Sequence, residues 1–418
     1  MPLPLPSAVD ALRERDFRLL YVGQSLSNLG SALVPVALAF AVLDLTGSAT
    51  DLGLVLLAAR LPLALLVIFG GVLGDRLPRR WVMVGSDLVR CATQAVTAGL
   101  LLSGTARLWE LAVLQAVHGA AAAFFDPAAT GLVSQTVATG RLQQANSLLG
   151  LSRSASAIVG QLVAGVLVAT VGSGIALTVD AASFAASAWS LALLRLSGTT
   201  GLTRRSRFLH DLAEGWGEFR TRRWLWASVV HVALLNLVAL APLFVLGPLV
   251  AKRSLGGAGA WAIIGAGYAT GAVVGGLLGL RWRPRRPLLA SVVVVFALAP
   301  LLAGLAIPVP LVLLAGAAVL AGLQASLSGV LSTTTLQQHV PAQVLSRTSA
   351  YGMLGALVFV PLGYALAGPV ADWIGLATTL WVGAVWVAAS TVAVAIIPSV
   401  RRLPQVDPEP IPEPAPSA

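Results

Sequence analysis

The stretch Gly70-Gly71-Val72-Leu73-Gly74-Asp75-Arg76-Leu77-Pro78-Arg79-Arg80 ends one apolar run and opens another. Its glycines suit the close approach of a neighbouring helix. Its aspartate and three arginines are costly in hydrocarbon, so the chain is expected to reach a membrane surface here. The pattern returns 205 residues later as Gly275-Gly276-Leu277-Leu278-Gly279-Leu280-Arg281-Trp282-Arg283-Pro284-Arg285. The paired glycines, Gly74/Gly279, Arg76/Arg281 and Arg80/Arg285 fall in register. A second set, Gly160, Gly165 and Gly172, returns as Gly363, Gly368 and Gly375 at an offset of 203. Small residues recur in any membrane bundle, but two sets at nearly one offset imply two halves related by a parallel repeat. Such repeats hold their substrate between the halves, near the bilayer midplane.

Composition agrees with that reading. Of 418 residues, 57% are hydrophobic, with 42 glycines not counted, and 11% are charged. A soluble domain carries about 25% charged residues, so soluble, disordered and nucleic-acid-binding readings of the whole chain are excluded. A membrane helix needs roughly 20 apolar residues. Twelve spans fit, at about 17–43, 52–74, 81–103, 108–134, 144–171, 174–195, 224–250, 258–280, 287–306, 309–334, 346–370 and 374–397. The first run is too long for a signal peptide and is expected to stay as a helix. The single Cys91 excludes a disulfide framework, and the four histidines lack metal-binding spacing. No GxxxxGK[ST] phosphate loop occurs, so an enzyme is not expected. The expected organisation is an N-terminal six-helix bundle at 1–200, a cytoplasmic linker at 201–223, a C-terminal bundle at 224–400 and a disordered cytoplasmic tail at 401–418. Within the linker, Phe208, Leu209, Leu212, Trp216 and Phe219 recur at the spacing of an interfacial amphipathic helix.

The net charge of +10 has a topological explanation. With both termini in the cytoplasm, cytoplasmic segments hold 21 of the 27 basic residues. Outside loops hold only Arg107, Lys252 and Arg253, while Arg60, Arg90 and Arg153 fall within spans. That asymmetry is the positive-inside bias.

The loop Gly71 to Arg80 resembles the signature between helices two and three of the major facilitator superfamily, G-x-x-x-D-[RK]-x-G-R-[RK], with Pro78 where glycine is usual. Ser86-Asp87-Leu88-Val89-Arg90, Phe124-Phe125-Asp126-Pro127-Ala128, Gln144-Ala145-Asn146-Ser147-Leu148-Leu149 and Asp211-Leu212-Ala213-Glu214-Gly215 resemble the branch of enterobactin exporters and macrolide efflux proteins. The resemblance implies an all-α integral membrane fold with twelve transmembrane helices in two pseudo-symmetric six-helix bundles. It also implies export of siderophores or antibiotics driven by the proton gradient. Two departures stand against the drug-antiporter route. Gln115 occupies the place of the arginine in R-x-x-x-G, and Gly160 to Gly165 lacks the proline of G-P-x-x-G-G.

Asp75, Arg76, Arg79, Arg80 and Asp126 are the candidates for a conformational gate. Asp75 would face the N-terminus of the eleventh helix, where a dipole favours an anion, and Arg79 would pair with Asp126. The simpler reading makes the three arginines topology signals only. Ionisable residues inside spans suggest function. Arg60 and Asp180 lie at similar depth, which admits a direct pair. Asp87 and Arg90, three residues apart, share a helix face; a structural ion pair is the favoured reading and proton coupling the alternative. Arg153 would attract an anionic substrate, hold a carboxylate in its charged form, or snorkel to the surface. His118 and His231 fall on helices that line the cavity of the resembled fold. Each is either a proton-coupling group or a neutral hydrogen-bonded one. Gln24, Asn28, Gln115, Asn236 and Gln324 are candidate substrate contacts, as are Phe40, Phe124 and Phe244, although many such residues only pack helices.

These observations lead to a secondary active transporter in the plasma membrane, exporting an amphipathic small molecule by alternating access with protons as the energy source. It is expected to act as a monomer, with the bilayer and a small molecule as partners, without cofactor, metal or nucleic acid. Import is the alternative within transport. A membrane sensor is the alternative outside it, and would call for a larger soluble domain.

Overall fold

The computed structural model describes residues 10–138, 141–195, 221–340 and 359–403, with the side chains of 67–76 excepted. All regular structure among them is helical. Besides the single turns Asp10–Arg13 and Pro398–Arg401, twelve long helices follow in order: α1 Arg15–Thr46, α2 Ala49–Arg76, α3 Arg79–Leu102, α4 Leu108–Thr136, α5 Leu142–Val171, α6 Ser173–Ala192, α7 Arg223–Leu255, α8 Ala258–Arg281, α9 Pro287–Ala306, α10 Leu311–His339, α11 over 359–374, and α12 Leu376–Ala395. Ten are long and apolar enough to cross a membrane. The exceptions are α3, diluted by Arg79, Arg80, Asp87 and Arg90, and α11, whose start precedes the described residues. The expected linker helix lies outside the described residues apart from its last three positions, and so does most of the tail.

Over the described residues the expected spans match these helices, the eleventh being described only from 359, with one informative difference. The seventh continues to Leu255, so Lys252 and Arg253 belong to a helix and not to a loop. The last turn, Ala251–Leu255, is π-helical and stops at Gly256, which takes φ +93°. The lysine charge is tolerated there because Leu43 and Asp44 of α1 accept from it.

Repeated sequence gives repeated packing. Helix α1 packs on α6 and α5, α2 on α4, and α3 on α6; in the second half α7 and α9 pack on α12, and α8 on α10. The glycine pairs found in the sequence occupy equivalent contacts. Gly160 of α5 meets Ala32 of α1, and Gly363 of α11 meets Ala241 of α7. Gly165 meets Ala262 of α8, and Gly368 meets the backbone of Thr50 in α2; a Cβ at either position would overlap the facing helix. Gly172 and Gly375 start α6 and α12 with φ +87° and +92°, a conformation that favours glycine.

The apolar clusters define the shape. One cluster takes residues from both halves, including Leu38, Leu43, Leu52, Val245, Leu249, Trp261 and Tyr364. It seals the end of the bundle remote from the termini. At the terminal end there are two separate clusters. One is built from Phe17, Met83, Phe125, Leu149 and Leu191, the other from Trp224, Leu288, Val340 and Val400. The halves are therefore fastened at one end only, among the described residues. Exposed tryptophans mark both ends: Trp81, Trp189, Trp226 and Trp282 near the termini, Trp109, Trp373 and Trp381 at the remote end. They correspond to the two interfacial belts of a membrane protein.

Candidate functional site

Breaks in the helices shape the centre. In α1 the regular helix stops at Ser31 and resumes at Val34, with Pro35 following. Proline lacks the N–H that would bond to Ser31 and its ring crowds that carbonyl. In α7 the π-helical turn Asn236–Leu240 precedes Pro242. Such turns loosen the backbone ladder where a site is needed. Between these bends lies a chamber of about 340 Å³, lined by Ser31, Pro35, Leu38, Leu56, Arg60, Gln115, His118, Gln161, Phe244, Trp261 and Tyr364. A second chamber of about 230 Å³ adjoins it through Arg60, Leu63, Phe244 and Tyr364, and includes Asn236. Its mixed lining, mostly apolar with a few polar tips, suits an amphipathic molecule.

A third chamber of about 650 Å³ opens toward the terminal end of the first half, lined by Gln24, Asn28, Phe125, Asp126, Asn146 and Arg153 among others. The candidates from the sequence are thus divided. Gln115 and His118 reach the central chamber, Asn236 its neighbour, and Gln24, Asn28, Asp126 and Arg153 the third. Gln324 is buried in α10, outside the residues lining all three. His231 is buried, and neither ring nitrogen has a hydrogen-bond partner. Phe244 lines the two central chambers, whereas Phe40 belongs to the sealing cluster. Phe124 is not among the residues lining the three chambers, whereas its neighbour Phe125 reaches the third.

Asp87 and Arg90 form a buried ion pair. The Arg90 guanidinium lies over Phe125 at 4.1 Å and Phe184 at 4.4 Å. Asp180 does not pair with Arg60. It is fully buried against α3, where Gln94 Nε2 donates to its Oδ2 at 2.7 Å. Gln115 Nε2 donates in turn to Gln94 Oε1 at 3.1 Å. A hydrogen-bonded line therefore runs from the central chamber through α4 and α3 to a carboxylate on α6. The sixth helix contributes no residue to the three chambers, so similar depth does not bring Asp180 to Arg60.

Arg80 donates to the carbonyls of Ala192 and Leu194, tying α3 to the end of α6. Arg79 Nη1 donates to the Gly131 carbonyl at 2.9 Å, on the same helix as Asp126. The side chains of Asp75 and Arg76, and the start of the eleventh helix, lie outside the described residues.

The sealed end holds polar contacts that the sequence reading passed over. Lys252 Nζ donates to Asp44 Oδ1 at 2.5 Å and to the Leu43 carbonyl at 2.7 Å. Thr50 Oγ1 donates to Asp372 Oδ2 at 2.9 Å. Both join the first half to the second. A signal was present: Lys252 is the only lysine in the chain, and Asp372 the only acidic residue between 224 and 397.

Twelve helices in two repeated halves, enclosing a central chamber beneath one sealed end, define a major facilitator membrane transporter. More narrowly, the chain belongs to the family described as transmembrane secretion effectors, which matches residues 6–415. The family is one of transporters, not enzymes. The multidrug efflux pump Tap of Mycolicibacterium fortuitum is 29% identical over 90% of this chain and 94% of its own length. Macrolide efflux protein A of Streptococcus pyogenes is 24% identical over 86% and 90% respectively. The crystal structure of the nucleoside transporter NupG superposes with a TM-score of 0.72 at 14% identity, covering 91% of this chain and 98% of that one. A bacterial homologue of the iron transporter ferroportin, solved in an inward-facing state, gives 0.72 at 17% identity with the same coverage. These likenesses carry the fold.

Proposed function

We propose that the chain exports an amphipathic small molecule by alternating access, drawing on the proton gradient. Efflux is supported by the relatives named for it. The positive-inside bias supports a cytoplasmic terminal end, which makes this conformation the one that loads cargo from inside. Cargo enters between the separated clusters. The remote seal then opens as the terminal ends of the halves close.

The observation that carries the proton coupling is a charge count. Asp87, Asp180 and Arg90 are all buried, and Arg90, paired with Asp87, is also close enough to Asp180 to interact with its charge. Two carboxylates and one guanidinium leave one negative charge in excess when all are ionised. An uncompensated ion in a protein interior costs several kcal/mol. One proton removes that excess, so the cluster has a natural neutral state with a single proton bound. The Gln94–Gln115 line ties that state to the wall of the cargo chamber.

The test is secretion. Cells with and without the gene are compared by untargeted mass spectrometry of their contents and medium, with and without nigericin, which collapses the pH gradient. A compound retained inside both deletion cells and nigericin-treated wild-type cells is the expected result. A compound depleted from the medium only when the gene is present would make the chain an importer. Export that survives nigericin would remove the proton as driver.

A further inference from the structure

We infer that the central chamber takes an amphipathic anion, held at its carboxylate or sulfonate by Arg60. This rests on the chamber being the cargo site. Arg60 lies eleven residues from the start of α2, about 16 Å along the helix, near the middle of a hydrocarbon core of about 30 Å. It lines both central chambers. Among the described residues its guanidinium has neither an ion-pair partner nor a hydrogen-bond acceptor. The residues lining the two chambers include no aspartate or glutamate. The second half holds a single acidic residue between 224 and 397, and that one, Asp372, is bound to Thr50 at the sealed end. In the first half Asp87 and Asp180 are fully buried behind the wall, and Asp126 lines the separate third chamber.

Arg60 is exposed to these chambers, and a charged side chain held at midplane depth facing a cavity marks a substrate path. A planar guanidinium offers paired donors that match a carboxylate bidentately. The other polar tips on this wall extend the match. The amides of Gln115 and Gln161, the indole N–H of Trp261 and the phenol of Tyr364 can all donate. Leu38, Leu56, Phe244 and the Trp261 ring supply an apolar bed for the rest of the molecule. A cationic amphiphile would find one like charge and no counter-charge, which disfavours it.

The experiment uses the full chain in lipid nanodiscs and two dyes built on one xanthene ring: fluorescein, an anionic carboxylate, and rhodamine 6G, a cationic ester. Binding is read by fluorescence anisotropy. Wild type is expected to bind fluorescein at least tenfold more tightly than rhodamine 6G. Arg60→Gln should lower fluorescein affinity about tenfold and remove the preference. Arg60→Lys, which keeps the charge but loses the fork, should fall between. A monodisperse size-exclusion profile for each variant separates lost recognition from lost folding. Equal affinity for both dyes, preference for the cation, no binding of fluorescein, or an Arg60→Gln variant that binds as wild type would each overturn the assignment. Uptake into inverted vesicles distinguishes this from the export reading. Arg60-dependent binding without uptake of fluorescein by wild type keeps the anion assignment and removes export. Uptake of rhodamine 6G in preference to fluorescein, unchanged by Arg60→Gln, keeps export and removes the assignment.

Discussion

At the scale of the residue, Asp180 and Asp87 are both buried carboxylates with different consequences. Asp87 neutralises Arg90 directly. Asp87→Ala strands a buried guanidinium, so it should destabilise the protein by about 3–5 kcal/mol, seen as a lower unfolding temperature in detergent. Asp180 takes one hydrogen bond from Gln94, and its Oδ1 lies unbonded where Gly30 of α1 packs against it. Asparagine reproduces the shape of the protonated acid. Asp180→Asn is therefore expected to fold and bind cargo normally while losing uphill transport. In inverted vesicles its cargo uptake should no longer respond to nigericin; a wild-type response would acquit Asp180 of the coupling role. The sequence makes the Asp87–Arg90 pair legible, because three residues on one helix fix a common face. It does not reveal the Asp180–Gln94 pair, since those residues are 86 apart and only packing of α3 on α6 brings them together.

At the scale of the element, α7 decides how the remote end closes. Its final π-helical turn carries Lys252 across to α1. Side-chain exposure is 34% for Lys252 and 60% for Asp44, so the pair contributes at most about 1 kcal/mol. Lys252→Met should thus shift the balance toward the outward-open state by no more than about fivefold. The lone lysine also supplies a measurement. A membrane-impermeant amine reagent applied to intact cells should modify Lys252 slowly in wild type and faster in Asp44→Asn. No modification under any condition would place this end of the bundle on the cytoplasmic side. Helix existence was readable for the spans the described residues cover, because long apolar runs bounded by charged or turn-forming residues leave little choice. The bends were not read: Pro35 and Pro242 lie inside runs whose hydropathy never falters, and the consequence of a missing N–H appears only in backbone geometry.

At the scale of the whole molecule, the duplication makes its own demand. Helix α5 crosses to α8 through Gly165, and its repeat α11 crosses to α2 through Gly368. Both helix pairs also line the central chamber, and both crossings adjoin the same sealing cluster. A side chain at Gly165 would meet Ala262, and one at Gly368 would meet the Thr50 backbone. Helices facing each other this closely cannot absorb a leucine without separating. Gly165→Leu and Gly368→Leu, 203 residues apart, should therefore give one phenotype. Each should raise the rate of Lys252 modification and lower net transport, while cargo binding at the central chamber persists. The control is Gly150→Leu on α5, where nothing lies within 4 Å of the added Cβ; it should leave Lys252 reactivity unchanged. If only one of the two glycine variants opened the seal, the halves would not share its closure equally. The rocking motion would then pivot on a single crossing, and the symmetry of the fold would not extend to its mechanics.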